Sequence, residues 1–487
     1  MKKFSYIILF VLPVFLLDAC KDYIPDISKP NIVIIFCDDM GYGDIGSYGA
    51  RGYETPNLDR LAVNGLRFTD FLSAHGACSA SRTALLTGCY ANRLNMPQVF
   101  GPGSQTGINP DEMTIAELLK QKGYATGIFG KWHLGDLEPF LPLQHGFDEY
   151  LGIPYSNDMW PVDYDGGPIT ENSVRPGKAN YPPLPLLENN QVIEYLEGLD
   201  DQDRLTTRYT ERAVSFIEKH RDEPFFLYLP HSMPHVPLGV SDKFRGKSEQ
   251  GLYGDVVMEI DWSLGQIINT LEENDLLENT LLIFTSDNGP WLNYGNHAGS
   301  TGGLKEGKGT SMEGGVREPC IMHWPAVIAP GEVSSSLAST IDILPTIAEI
   351  TGTKLPAHLI DGLSILPILR GDKDAQPRKT FYYYYHSNNL EAVRMGQWKL
   401  VFPHDHRSYE NVLPGNDGFP GPYSQGRAEY ALYNLRRDPG ERYDVKEQHP
   451  AILEEMEKLA EQARSDIGDE LTGRPGKNRR PRGRIRD

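Results

Sequence analysis

Residues 31–39, NIVIIFCDD, decide the fold, because a continuous apolar and largely β-branched run stops abruptly at two aspartates. Such a run suits a strand that is buried on both faces, as strands in parallel sheets are. Residues 281–288, LLIFTSDN, repeat the pattern, and a Gly-Pro pair breaks the chain just beyond. Ligands collect beyond the carboxyl ends of strands in open α/β sheets, so the two polar pairs are expected to converge. The predicted cluster comprises Asp38, Asp39, Asp287 and Asn288.

Three carboxylates and one amide at strand ends indicate a cation site. Clustered carboxylates at the end of a buried strand are costly unless a cation neutralises them. Oxygen ligands suit a hard cation, Ca²⁺ or Mg²⁺, whereas zinc prefers histidine and cysteine. Taken separately, the Asp-Asp pair is equally compatible with a solvated loop, and the Asp-Asn-Gly-Pro run with a simple turn.

The rest of the chain alternates helical and extended patterns. Helices are predicted near residues 113–121 and 207–220, and short strands near 126–129 and 225–229. This alternation favours an α/β fold with a mixed or parallel sheet between helices. With 487 residues, 39% of them hydrophobic, the chain is long enough for a large domain and a smaller companion.

The predicted organisation has five parts. They are a signal peptide (1–19), a tether (20–30), a catalytic domain (31–370), a C-terminal domain (371–470) and a basic, disordered tail (471–487). In the C-terminal domain, residues 381–385 and 392–400 are expected to be strands and residues 450–464 an amphipathic helix.

The N-terminus indicates export. Two lysines precede an apolar run at residues 7–17, which is too short for a membrane span and typical of a secretory signal. The run ends in LDAC at Cys20, which resembles the lipobox of bacterial lipoproteins, although Asp18 is unusual there. We therefore expect a lipid anchor at Cys20 and a place in the bacterial cell envelope, in the periplasm or at the outer membrane. An ordinary signal peptide with another cleavage point is the alternative.

Charge and cysteine content narrow the function further. The chain carries 47 Lys plus Arg against 66 Asp plus Glu, a net charge of -19, which argues against nucleic-acid binding. An anionic substrate would need a local positive pocket. Five cysteines do not form a disulfide framework, and any pairing among Cys37, Cys89 and Cys320 is left open.

A short motif in the first third of the chain carries a resemblance. Residues 78–82, CSASR, followed by LTG at 86–88, resemble the signature of formylglycine-dependent sulfatases of the arylsulfatase A-like branch. Further matching blocks follow in the family's order: GKWHLG (130–135), PHVP (234–237), SDNG (286–289), GKGT (307–310) and EGGVR (313–317). The resemblance runs from residue 31 to about 400. It implies the alkaline-phosphatase fold, a mixed sheet flanked by helices with a smaller C-terminal α+β domain.

Cys78 stands at the centre of this motif. From the residues alone it could be a buried structural thiol or a nucleophile of low pKa. The following residues would form a helix whose N-terminus suits an anion, and Arg82 lies one turn on. The resemblance implies that a maturation enzyme oxidises Cys78 to formylglycine, whose hydrated aldehyde attacks sulfur with one hydroxyl and expels sulfate with the other. It also implies calcium, with ligands Asp38, Asp39, the modified Cys78, Asp287 and Asn288.

The same blocks imply a ring of catalytic cations. All five would bind the sulfate oxygens: Arg82, Lys131, His133, His235 and Lys308. His235 with Lys308 would also serve the leaving group, where a positioned acid protonates the oxygen, and His133 would help to deprotonate the diol. Taken singly, each lysine could be a surface residue and each histidine a satisfied loop residue.

The substrate-binding candidates rest on shorter patterns. By resemblance, Ser156 contacts sulfate. Asp158, Trp160 and His386 could line a sugar subsite, although an aromatic residue beside a strand is more often part of a core.

These observations predict a sulfatase that removes O-sulfate from a sulfated carbohydrate, as an exo-acting, glycan-scavenging enzyme. One alternative is a phosphodiester or phosphonate monoester hydrolase of the same superfamily. Another is an inactive glycan-binding member, which would lack a metal ligand or a catalytic cation. The sequence retains all of the predicted metal ligands and catalytic cations.

Overall fold

A computed structural model of the protein describes residue 27 and residues 29–485. In that part of the chain, ten strands form one mixed sheet, as predicted. In spatial order they are Glu332–Ser334, Leu66–Phe68, Cys320–His323, Thr280–Ser286, Asn31–Cys37, Phe225–Pro230, Ala125–Phe129, Glu149–Gly152, Leu184–Glu188 and Gln191–Leu196. The predicted signal peptide and Cys20 lie outside the described residues.

The strand Asn31–Cys37 lies at the centre of the sheet. It runs parallel to Thr280–Ser286 on one side and to Phe225–Pro230 on the other. All of its residues are buried, and successive side chains enter opposite cores: Ile34 packs on one face and Val33 on the other. The apolar run therefore forms a strand that is covered on both faces, and the parallel pairing brings its end beside the end of Thr280–Ser286.

Helices cover both faces of the sheet. One layer contains Cys78–Thr87, Ile115–Lys120, Ile343–Thr351 and Leu366–Leu369. The opposite layer contains Pro56–Asn64, Leu205–Lys219 and Gly251–Glu273. Their apolar residues complete the two cores that the central strands begin, which is the packing expected of an α/β sheet.

A smaller antiparallel sheet follows the ten-stranded sheet in the chain. Its strands, in order, are Thr380–Tyr385, Asn389–Met395, Trp398–Val401 and Ala431–Asn434, and the helix Pro450–Asp466 packs on them. A separate hairpin pairs His404–Ser408 with Ser424–Ala428. The single strand predicted over 392–400 was wrong, because Gly396 (φ 55°) turns the chain there and makes two antiparallel strands.

The described residues of the basic tail, 471–485, are packed in the structure. Disorder was predicted from its charge and its Gly and Pro content, but Gly483–Arg484 pairs with Thr106–Gly107. Arg480 also donates to Glu112, with Nε and Oε1 2.7 Å apart. These residues are therefore ordered through contacts with residues that are distant in sequence, which the composition of the tail cannot reveal.

Four cysteines fall within the described residues. Cys37, Cys78, Cys89 and Cys320 are all buried and free, so none of the three left open above forms a disulfide there. Across the same residues, no helix combines the length and the apolar character needed to cross a membrane.

Candidate active site

Four polar side chains meet where the two central strands end. Asp38 and Asp39 follow Asn31–Cys37, and Asp287 and Asn288 follow Thr280–Ser286; all four are at most 3% exposed. The backbone N–H of Asp39 donates to Asp287 Oδ1 (3.1 Å), and Asn288 Nδ2 donates to Asp39 Oδ1 (2.7 Å). The convergence predicted from the two strand ends is thus present in the structure.

Cys78 reaches the same cluster from a helix. It is the first residue of Cys78–Thr87, and its Sγ lies 3.3 Å from Asp38 Oδ1 and 4.0 Å from Asp39 Oδ1. Potential ligand atoms of Asp38, Asp39, Cys78 and His235 all lie within 4.8 Å of one another.

The donor set fits a hard cation. Besides the carboxylates, Asn288 Oδ1 is buried and has no hydrogen-bond partner in the described part of the chain. A buried amide oxygen without a hydrogen-bond partner, beside three carboxylates, is a suitable ligand for such a cation. His235 is a poorer candidate ligand, because calcium prefers oxygen to nitrogen.

Three fixed cations surround the carboxylates. Lys131 Nζ bonds Asp38 Oδ2, Lys308 Nζ lies 2.7 Å from Asp39 Oδ1, and Arg82 Nη2 lies 2.9 Å from Asp287 Oδ2. Three negative and three positive charges balance. A divalent cation added to them would leave a net positive site, which suits the single negative charge of a sulfate monoester.

Burial and these ion pairs shift the carboxyl pKa values in different directions. Burial opposes ionisation of Asp38, but Lys131 and Arg82 outweigh it and hold the pKa of Asp38 well below its usual range. Burial and the nearby charge of Asp38 instead raise the pKa of Asp287 to about 7, against the effect of Arg82. A divalent cation at the cluster would favour the ionised form of both.

The Cys78 thiol is poorly suited to attack a substrate. Burial and the charge of Asp38 raise its pKa well above the usual value, and Lys131 and Lys308 only partly offset this. The thiolate is the nucleophilic form of cysteine. Burial and Asp38 thus favour the thiol over the thiolate, which does not support the interpretation of Cys78 as a nucleophile of low pKa.

His133 is arranged as a neutral base. Its ring Nε2 lies 3.0 Å from the carbonyl oxygen of Phe100, which can only accept, so Nε2 carries the proton. The other ring nitrogen, Nδ1, is buried and without a partner among the described residues. Burial, Lys131 and Arg82 together lower the pKa of His133 well below its usual value. Nδ1 is thus free to accept a proton.

Replacing His133 with glutamine is expected to lower kcat by about 10²–10⁴-fold, the usual contribution of a general base, and to change KM much less. Since the base acts when deprotonated and its pKa is depressed, wild-type kcat should hold below pH ~6.5, the ordinary histidine pKa, and fall only at more acidic pH. A pH profile of kcat, for wild type and for His133→Gln, measures the loss of kcat and its pH dependence. His358→Gln, at an exposed position, is the matched control. An unchanged kcat in His133→Gln would assign the base to another group.

His235, Lys308 and Ser156 also surround the cluster. His235 Nδ1 donates to the carbonyl of Val236 (2.6 Å), so Nε2 faces Ser156 Oγ (3.5 Å) and Asp39 Oδ2 (3.7 Å). Ser156 Oγ also lies 3.2 Å from Lys131 Nζ. The structure therefore brings these predicted residues together around one small volume.

The remaining sugar-subsite candidates differ in their burial and in the residues that they contact. Asp158 is buried and pairs with Arg175, with Oδ2 and Nη1 3.2 Å apart. His386 is exposed, and its ring packs on Tyr385 at 4.8 Å and not against the metal cluster. Trp160 is fully buried in the core, so it does not line a subsite.

Sequence reasoning missed Trp291. Its ring lies 4.3 Å from Lys308 Nζ and 5.4 Å from the ring of His235, and Arg175 stacks on it at 5.1 Å. Trp291 comes three residues after Asn288 in sequence. That proximity to a predicted ligand was the signal that could have identified it.

Taken together, a buried oxygen cluster ringed by cations at the carboxyl edge of an α/β sheet defines a hydrolase of anionic esters. The family model described as Sulfatase matches residues 30–353, and that for the C-terminal region of aryl-sulfatase matches residues 376–481. The chain belongs to the sulfatase family and is a sulfuric ester hydrolase.

Similar proteins support this assignment. Arylsulfatase A from Bos taurus is 39% identical over 452 residues, which cover 89% of this chain and 87% of the relative. N-acetylgalactosamine-6-sulfatase from Mus musculus is 38% identical over 440 residues, which cover 86% and 82%. The crystal structure of PsFucS1 sulfatase from Pseudoalteromonas sp. has a TM-score of 0.78 at 28% identity and covers 89% of each chain.

Proposed function

We propose that this sulfatase removes O-sulfate from a sulfated carbohydrate, as an exo-acting, glycan-scavenging enzyme that uses formylglycine made from Cys78 and a bound Ca²⁺. The observation that carries the proposal is the position of Cys78, at a helix N-terminus and 3.3 Å from Asp38 in the buried oxygen cluster. The similarity to N-acetylgalactosamine-6-sulfatase, whose name specifies a sugar ester, supports the substrate class.

The chemistry of the site explains the need for both groups. Asp38, Asp39, Asp287 and Asn288 would hold calcium. Calcium would supply positive charge to the sulfate oxygens, and formylglycine would supply an oxygen nucleophile that can release sulfate afterwards. An unmodified Cys78 could accept sulfate on sulfur but could not release it by collapse to an aldehyde.

The other side chains have distinct roles in this proposal. Lys131 and Ser156, 3.2 Å apart, bind sulfate oxygens. Arg82 fixes Asp287 through two hydrogen bonds (3.1 and 2.9 Å) and so keeps the cluster in place. His133 takes a proton at Nδ1, and His235 with Lys308 serves the leaving oxygen, with Lys308 Nζ as the proton donor because His235 Nδ1 donates its proton to Val236.

The maturation enzyme must act on an unfolded chain. All ten residues of Cys78–Thr87 are buried in the folded protein, and Cys78 is 3% exposed. A modifying enzyme could not reach Sγ without opening the core. This burial supports oxidation before folding is complete.

We extend the proposal to location. The LDAC sequence at Cys20 would receive lipid and anchor the enzyme to the membrane of the bacterial envelope. A Cys20→Ala variant should leave the membrane fraction and appear in the soluble fraction with its sulfatase activity intact. Retention of this variant in the membrane fraction would contradict the anchor.

The test of the proposed function is a substrate panel. Matured, calcium-loaded enzyme is assayed for sulfate release from defined sulfated monosaccharides and for hydrolysis of an aryl phosphate diester and an aryl phosphonate monoester. We expect sulfate release from at least one sugar, with a kcat/KM higher than the kcat/KM for either phosphorus ester. Preferred phosphorus ester hydrolysis would favour the first alternative, and binding of sulfated sugar without turnover by fully modified protein would favour the inactive one.

A further inference from the structure

We propose that Arg407 binds a second anionic group of the substrate, a sulfate ester or a carboxylate elsewhere on the same saccharide. This inference rests on the proposed function and makes the substrate polyanionic. Arg407 lies outside the blocks that carry the family resemblance, and no role is assigned to it above.

The guanidinium of Arg407 lies close to Gly309, the residue that follows Lys308. It comes from the hairpin strand His404–Ser408 and packs on the backbone that follows Lys308. A methyl group built on Gly309 would lie 3.0 Å from Arg407 Cζ and 3.0 Å from the hydroxyl of Tyr385. The side chain is thus placed one residue away from a proposed catalytic lysine.

Arg407 carries a positive charge without a carboxylate partner. Within residues 29–485, the ring contacts and side-chain hydrogen bonds of its guanidinium are with tyrosines. They are the ring of Tyr423 at 4.7 Å, the Tyr423 hydroxyl at 3.3 Å from Nη1, and Tyr409. Other buried arginines in the same part of the chain pair with carboxylates; they are Arg82, Arg93, Arg317, Arg378 and Arg394. A half-buried guanidinium is desolvated at a cost, and an anionic ligand would offset it.

An aromatic wall connects Arg407 to the reacting centre. Trp291 Nε1 donates to the Tyr423 hydroxyl, and Lys308 Nζ lies over the Trp291 ring at 4.3 Å. Trp291 and Tyr423 are both partly exposed, so their surfaces are open to a ligand. A saccharide with its scissile sulfate near Lys308 would extend along this wall towards Arg407.

The second nearby arginine does not offer the same free charge. Arg175 stacks on the Trp291 ring (5.1 Å) and already pairs with Asp158 (3.2 Å). Its charge is largely neutralised by that carboxylate. Arg407 is therefore the better anion site of the two.

The test compares Arg407→Gln with wild type on matched substrates. One pair is a disulfated and a monosulfated monosaccharide, and the other is a sulfated disaccharide with and without a uronic acid carboxylate. We expect kcat/KM to fall about 10–100-fold on the substrate that carries the second anion, through KM, because a hydrogen bond to a charged group contributes on that scale. The monoanionic partner substrate should change less than about threefold, the spread of ordinary surface substitutions. The pair that responds identifies the anion as sulfate or carboxylate.

Arg427→Gln is the matched control, because Arg427 lies on the paired strand Ser424–Ala428 with its side chain 57% exposed. Arg407→Lys should recover only part of the affinity, since lysine keeps the charge but not the planar fork. Equal losses on all substrates would overturn the inference and indicate a structural role, which the melting temperature would show. Sulfate release by wild type with no preference for a second anion would refute this inference alone, whereas no release from any sugar would refute the proposed function with it.

Discussion

Replacing Cys78 with alanine is expected to abolish sulfate release, with kcat reduced by about 10⁶-fold, the loss seen when an enzyme's nucleophile is removed. The side chain lies 3.3 Å from Asp38 at the proposed metal cluster, and no other cysteine belongs to that cluster in the described part of the chain. Alanine cannot be converted to an aldehyde. Initial rates on a sulfated monosaccharide, with purified matured enzyme, measure the effect.

The matched control is Cys89→Ala. Cys89 is also a buried free thiol, but it lies just beyond the helix that begins at Cys78, near Arg480 and away from the cluster. This variant should keep full turnover, apart from any modest loss of stability from the missing sulfur. Turnover by Cys78→Ala within tenfold of wild type would contradict the assignment of the nucleophile.

Replacing Asp39 with asparagine is expected to remove the response to calcium and to lower kcat/KM by about 10³-fold, because a bound cation supplies several kcal/mol of transition-state stabilisation. Asp39 accepts from Asn288 and Lys308 within the cluster. For wild type, calcium at 100 times its Kd should stabilise the fold by about 2.7 kcal/mol. Melting curves with calcium and with a chelator measure this shift.

Asp44→Asn is the control for this experiment. Asp44 is buried in the same loop but accepts from Tyr253 and backbone N–H groups and is not part of the cluster. Burial raises its pKa to about 7, against the hydrogen bonds that it accepts. Asp44→Asn should keep the calcium shift. A full calcium response in Asp39→Asn would place the cation elsewhere.

The sequence predicted the central features of the fold for a physical reason. Apolar runs that stop at polar pairs indicate both a buried strand and the point where it ends. Residues 31–39 and 281–288 therefore predicted the centre of the sheet and the cluster beyond it. The helix expected after Cys78 is present as Cys78–Thr87. These features depend on local patterning, which one sequence contains.

Other features depend on contacts between distant segments. The free Nδ1 of His133 follows from a hydrogen bond to Phe100, and the order of the tail follows from Arg480 meeting Glu112. Asp39 and His133 also adopt left-handed φ values of 66° and 62°, which are uncommon outside glycine and are held by their surroundings. No pattern of neighbouring residues indicates these properties.

The function rests on the oxidation of Cys78, which mass spectrometry tests directly. Trypsin releases Cys78 within a peptide of residues 68–82, since Arg67 and Arg82 bound it. In enzyme that releases sulfate, this peptide should have the mass of an aldehyde in place of the thiol, and the modified fraction should scale with kcat across preparations matured to different extents. Sulfate release by protein whose peptide carries only unmodified cysteine would contradict the account.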